Sequence, residues 1–210
     1  MAMLDALEAL GPVTDAETVG ALGARLADFD PLIAARAAAI LGAWTGTTVK
    51  ASPQPLPRPP LTMKDVPDVR LRVSMAGGGT FTMRLFVDEA PLTVHRILTG
   101  AKQGYYDGLT FHRVVPNFVI QGGSPGANEY VGDGPFMRDE VGLVSHTRGT
   151  VGISTRGRDT GDAQIFVNLV DLARLDHIYT AFAEVVDGMA VVDGILEGDV
   201  IARVDVVGPR

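Results

Sequence analysis

Two periodicities divide this chain: apolar residues recur at spacings of three and four before residue 50, and alternate from Asp68 onward. The first spacing gathers them on one stripe of a helix, the second on one face of a strand. Leu4 to Leu10 is a short helical run that stops at Gly11-Pro12. Thr14 or Asp15 can cap a second helix through Phe29, with Val19, Leu22 and Leu26 on its stripe. Asp30 followed by Pro31 places a cap before a proline at the first helical position, which predicts a third helix over roughly Pro31–Trp44. Beyond the switch, Val69, Leu71 and Val73 alternate with Arg70 and Arg72. Gly77-Gly78-Gly79 turns the chain and Thr80–Val87 alternates again, so this stretch reads as a hairpin. Asp88-Glu89-Ala90-Pro91 opens a helix to about Gly100, with Val94, Ile97 and Leu98 on its apolar stripe. A further helix is expected over about Met189 to Glu197, and Val200–Val207 reads as a last strand that closes the sheet. The predicted class is mainly β: a closed antiparallel barrel capped by two helices, preceded by a short N-terminal α-helical segment.

Composition sharpens the boundary. Residues 1–50 carry 13 alanines, and Ala34, Ala35, Ala37, Ala38 and Ala39 leave room for a neighbouring helix to pack closely. This helical pair with Asp-Pro at its corner resembles one unit of a HEAT or armadillo-like solenoid. Such arrays need three or more repeats to bury their faces, so the segment is read as the stump of a longer array rather than a lone packed pair. Residues 51–62 hold five of the 13 prolines, which fix φ and remove backbone donors, so an extended linker is expected. The Pro57-to-Pro60 spacing also matches an SH3-type ligand, a reading ranked below the linker. The expected organisation is a helical segment over 1–50, a proline-rich linker over 51–65 and a β domain over 66–210.

Charge and residue usage exclude several functions. With 18 basic against 25 acidic residues the net charge is −7, which argues against gripping nucleic-acid backbones. The absence of cysteine removes disulfides, thiol nucleophiles and Cys-ligated metals. His95, His112, His146 and His177 lack ligand spacing, so no metal and no cofactor is expected. His112 is assigned a structural hydrogen bond, and His177 an exposed turn. No apolar run approaches the ~20 residues of a membrane span. The first residues lack the basic and apolar regions of a signal peptide. The compartment stays open: cytoplasmic as the chain stands, periplasmic or secreted if a leader lies upstream of Met1.

The chemistry concentrates in Phe111-His112-Arg113-Val114-Val115-Pro116-Asn117-Phe118-Val119-Ile120-Gln121-Gly122-Gly123. Two apolar strands joined at Pro116-Asn117 carry Arg113 and Gln121 where burial is costly unless both are hydrogen-bonded. Val119 and Gln121 share a strand face. Two more segments follow, Gly149–Thr155 leading to Gly161-Asp162-Ala163-Gln164-Ile165-Phe166, and Leu175-Asp176-His177-Ile178-Tyr179.

Together these blocks, from about Val69 to the end, resemble a cyclophilin-type peptidyl-prolyl cis–trans isomerase. The resemblance implies a cyclophilin-like barrel that rotates X–Pro bonds in proline-containing polypeptides. The rotational barrier of about 20 kcal/mol reflects delocalisation of the nitrogen lone pair. Lowering it needs a donor aimed at the imide nitrogen and a slot for the ring, not a nucleophile or metal. By the resemblance Arg113 is that donor, Gln121 orients it, and Phe118 completes the catalytic set. Val119, Phe166, Leu175 and Tyr179 line the proline pocket, while Ser154, Thr155 and Gln164 meet the substrate chain. Three departures bear on selectivity. Arg174 stands where many members carry the tryptophan that donates to cyclosporin, which implies weak cyclosporin binding. Arg156 brings a charge beside the groove, and Ile165 replaces a ring. The alternative function is a proline-peptide binding module or adaptor, with the helical segment offering a surface to a protein partner.

Overall fold

The computed structural model describes residues 2–55 and 69–208. The chain divides into two compact units, Met1–Leu61 and Thr62–Arg210. Residues 56–65 of the expected linker lie outside the described residues. Its first residues run along the helical unit: the Ser52 and Gln54 N–H groups donate to the Leu26 and Ala27 carbonyls at 2.8 and 3.3 Å.

The first unit contains α1 (Ala2–Leu10), α2 (Ala16–Ala24) and α3 (Pro31–Thr45), with a 3-10 turn over Arg25–Ala27 where helix was expected to continue. Of the two candidates for α2, Asp15 is the cap, and Asp30 caps α3 as expected. Asp15 accepts from Thr18 N–H and Asp30 from Leu32 N–H, satisfying donors that the first helical turn leaves unpaired. Leu4, Leu22, Ala37, Ile40 and Leu41 make one small core, with Trp44 packed at its edge. The Arg36 guanidinium joins α3 to α1 through Asp5 and Glu8 at 2.5 and 2.7 Å.

The second unit is one eight-stranded antiparallel sheet with two helices. Its elements are β1 (Arg70–Met75), β2 (Thr80–Leu85), α4 (Pro91–Lys102), β3 (Arg113–Val114), β4 (Val119–Gly122), β5 (Thr150–Ile153), β6 (Ile165–Asn168), β7 (Ala181–Asp187), α5 (Met189–Asp193) and β8 (Ile201–Val207). Strand order is β3-β4-β6-β5-β7-β2-β1-β8. Register breaks at Ser74/Met75, Thr82/Met83 and Val151/Gly152 add local twist, and the sheet curls into a half-barrel. The expected full closure is not made by a strand ladder. Among the described residues, the edge strands β3 and β8 do not pair. Residues 109–111 cross the gap instead: Phe111 N–H donates to Asp199 O and Ile201 N–H to Leu109 O. With β3 only two residues long, its edge is too short to close the ladder.

Phe81, Phe111, Phe182, Leu71, Val73, Ile120, Val151 and Ile201 fill the curl, packed against Val94, Ile97 and Leu98 of α4. α5 ends at Asp193, four residues short of the expected Glu197, because Gly194 caps it and Ile195 turns into the core. α4 has no side-chain cap at Ala90. Its exposed donors are met from afar, since the Glu140 carboxylate accepts from Leu92 and Thr93 N–H at 3.0 and 2.7 Å. That contact also suits the positive end of the helix dipole. It pins the long loop between β4 and β5, which forms one wall of the site.

The turn from β7 into α5 depends on Gly188. Its φ is +80°, and an added Cβ would lie 2.3 Å from the Thr80 carbonyl oxygen. Gly188→Ala is expected to destabilise the β unit by roughly 2–4 kcal/mol, combining strained φ with a backbone clash. Urea unfolding of the full chain measures it, and an unchanged midpoint would refute the assignment.

Candidate active site

The hairpin β3–β4 begins the site. Pro116 presets φ for its turn, and Asn117, at φ +56°, accepts the left-handed conformation that the next position needs. Phe118 N–H closes the turn onto Val115 O at 3.1 Å. The resulting register sets Arg113 opposite Gln121. β4 pairs next with β6, which puts Gln121 opposite Phe166.

Gln121 is 3% exposed, and each end of its amide is satisfied. Its Oε1 accepts from Arg113 Nη1 at 3.2 Å, while Nε2 donates to Ser154 Oγ at 2.8 Å and to Gln164 Oε1 at 3.1 Å. Gln164 in turn donates to the Val131 carbonyl at 2.9 Å. Arg113 Nε faces the Glu129 carboxylate at 3.4 Å, and its guanidinium lies 5.8 Å from the Phe118 ring centroid. Its Nη2 has no hydrogen-bond partner among the described residues.

Below the arginine, Val119, Phe166, Leu172 and Leu175 form a separate apolar cluster with Phe118, Val170 and Tyr179 at its margin. Phe166 meets Tyr179 edge-on at 5.7 Å. Its position requires Gly152, where a Cβ would fall 2.3 Å from the ring. A cavity of about 170 Å³ results, lined by Arg113, Phe118, Val119, Gln121, Glu129 and Ser154, together with Thr155, Phe166, Leu175 and Tyr179. Nine of the ten residues singled out in the sequence therefore meet at one cavity. The tenth, Gln164, stands behind Gln121 as its hydrogen-bond partner.

Three features escaped the sequence reading. Glu129 lies in an irregular loop, and no local pattern marks it as the arginine's counter-charge. His146 stacks on Phe166 with ring centroids 5.7 Å apart, and its Nε2 lies 3.1 Å from the Tyr179 carbonyl oxygen. Arg174 lays its guanidinium on the Phe118 ring at 4.4 Å, occupying surface rather than donating into the cavity. Both ring nitrogens of His112 are buried with no partner at full hydrogen-bonding geometry, and the Thr110 backbone stands beside the ring. Arg156 stands beside the cavity, bonded to Asp162 at 3.0 Å and to the carbonyl of the wall residue Glu129 at 2.7 Å.

Fold and cavity together define a proline-directed isomerase of the cyclophilin class. Residues 70–207 match the family of cyclophilin type peptidyl-prolyl cis–trans isomerases, and the chain belongs to it. A Helicobacter pylori peptidyl-prolyl cis–trans isomerase is 40% identical over 130 residues, covering 60% of this chain and 80% of that protein. Bacillus subtilis peptidyl-prolyl cis–trans isomerase B is 35% identical over 133 residues, covering 62% and 93%. In fold, the chain is similar to a Cryptosporidium parvum cyclophilin (TM-score 0.63, 22% identity, 67% of this chain and 98% of that one). The activity is peptidyl-prolyl cis–trans isomerisation.

Burial lowers the pKa of both His146 and His112 below the usual 6.5. Both stay neutral in the fold at a pH where the unfolded chain already takes up protons. Stability is therefore full above about pH 6.5 and falls as pH drops toward the depressed folded values. The loss is at most about 1.4 kcal/mol per pH unit for each histidine. His146→Gln is expected to flatten this slope without abolishing it, since His112 remains. Urea titrations at pH 7.5 and 5.5 test it, and an unaltered slope would exclude His146.

Proposed function

We propose that Arg113 lowers the rotational barrier by donating from its unpartnered Nη2 to the imide nitrogen of a proline seated over Val119, Phe166 and Leu175. The carrying observation is the placement of a partly exposed guanidinium on the wall of a small cavity whose floor is apolar. Hydrogen bonding to the nitrogen localises its lone pair, and the C–N bond loses double-bond character. The twisted state gains this bond and the planar amide does not, so binding becomes catalysis. Gln121 and Glu129 hold the guanidinium from two sides, which reduces the rearrangement needed at the moment of rotation. Phe118, Tyr179 and Phe166 clamp the ring while the carbonyl side turns. Ser154 supports Gln121, Gln164 anchors it, and the Thr155 backbone meets the substrate chain. Proline-containing polypeptides are the substrates. A Cryptosporidium parvum cyclophilin of similar fold was solved in the presence of the dipeptide Ala-Pro, which supports this class.

Two finer readings accompany it. The helical unit is one HEAT-like repeat, supported by the Asp30–Pro31 corner and by Ala34 and Ala37, both 0% exposed on the packed face of α3. It offers a surface to a protein partner, with Leu10 and Leu32 apolar and exposed. Cyclosporin binds weakly, because Arg174 brings a cation and no indole donor to the rim of the pocket.

Arg113→Ala is expected to lower kcat/KM on a short Ala-Pro peptide by about two orders of magnitude, roughly 3 kcal/mol of transition-state stabilisation. Folding should be little affected, since the side chain is one-third exposed. A folded variant that kept its activity would remove Arg113 from the mechanism. Arg174→Trp is expected to tighten cyclosporin by ~1–3 kcal/mol through a donor and ring burial. Calorimetry compares the two proteins, and nanomolar binding by the unmodified chain would show the indole to be dispensable.

A further inference from the structure

A second cavity of about 540 Å³ opens beside the first and shares two of its lining residues, Thr155 and Tyr179. The rest of its wall is Asp139, Val141, Gly157, Arg158, His177 and Ile178. Three loops far apart in sequence build it, and hydrogen bonds tie each to a neighbour. Asp139 and Asp159 exchange backbone-to-carboxylate bonds at 2.9 and 3.0 Å. Glu140 N–H donates to Thr180 Oγ1 at 2.8 Å, and His177 Nδ1 lies 3.2 Å from the Gly142 carbonyl oxygen.

The wall combines apolar and cationic character. Val141 and Ile178 are 41% and 58% exposed, an apolar rim that nothing in the unit covers. Arg158 makes no hydrogen bond or ion pair among the described residues. Asp139, the carboxylate of the same wall, already accepts from Asp159 N–H. Arg158 acts on that carboxylate through its charge alone, with no hydrogen bond or ion pair between them.

We propose that this cavity extends the substrate site, receiving an apolar side chain next to an acidic residue from the polypeptide whose proline fills the first cavity. The inference rests on the first cavity being the proline pocket. A chain leaving that pocket past Thr155 and Tyr179 enters the second cavity, because those residues belong to both walls. There the apolar side chain covers Val141 and Ile178, and Arg158 donates to the neighbouring carboxylate. Flanking sequence thereby sets which X–Pro bonds are turned over fastest.

The test measures kcat/KM for a short Ala-Pro peptide and for peptides extended on either side by Leu-Asp, Leu-Lys or Ser-Asp. All values are expressed relative to the short peptide. On one side, Leu-Asp is expected to exceed Leu-Lys by about fivefold, the scale of an exposed charge pair. Arg158→Glu should reverse the Asp-over-Lys order, and Ile178→Ser should remove the advantage of Leu-Asp over Ser-Asp. Both side chains are exposed, so neither change disturbs the core. Equal values across the extended peptides, or an Asp preference that survives Arg158→Glu, overturn the extension alone. Failure of the unmodified chain to turn over the short peptide overturns the first cavity as the proline pocket, and the extension with it.

Discussion

A buried amide governs the arrangement of this site. Gln121 sits in a strand enclosed on both faces, where an unsatisfied donor or acceptor costs about 1–3 kcal/mol. Its amide can be satisfied only when Arg113, Ser154 and Gln164 stand at the right places. Those partners come from three other parts of the sheet: β3, the end of β5 and the start of β6. The order of the sheet and the orientation of the arginine are thus linked by one hydrogen-bonded side chain. An apolar residue at 121 would pack, but it would leave the guanidinium held from one side only.

Carboxylates do similar work on the long loop between β4 and β5. Glu140 caps α4 and Asp133 holds Arg96 and the Ala163 N–H, while on the next loop, between β5 and β6, Asp162 holds Arg156. In each case a charged oxygen meets donors that the fold would otherwise leave unpaired, and such bonds are stronger than neutral ones. A loop that leaves Tyr130, Val131, Phe136, Val141 and Leu143 exposed is thereby fixed firmly enough to serve as a wall. The same arrangement distributes charge around the groove. Glu129 stands beside Arg113, Asp162 pairs with Arg156, and Arg158 has no hydrogen bond or ion pair among the described residues. In the proposed reading these charges select the substrate, whereas the apolar floor recognises the ring.

Much of this was legible in the sequence because it rests on local rules. The Asp-Pro start of α3, the glycine turn between β1 and β2, and the Pro116-Asn117 turn each need only a few adjacent residues. Alternating apolar positions marked β1 and β2, and the motif blocks carried the cyclophilin resemblance. Nine of the ten residues chosen on that basis line one cavity. Where the reading missed, the cause was non-local. α5 ends early because Ile195 is drawn into the core, and the barrel seam is closed by residues 109–111 rather than by strands.

The sequence by itself determined the helices, the first hairpin with its hydrophobic faces and the motif blocks that carry Arg113, the proposed donor, since propensity, period and motif are properties of neighbouring residues. Only the tertiary structure decided which charges face which. Glu129 meets Arg113 across 16 positions and His146 reaches the Tyr179 carbonyl across 33. The second cavity likewise exists only where loops at 139–141, 155–158 and 177–179 converge. Electrostatic and packing partners are chosen by distance in space, and a one-dimensional pattern holds no record of that distance until the sheet has curled.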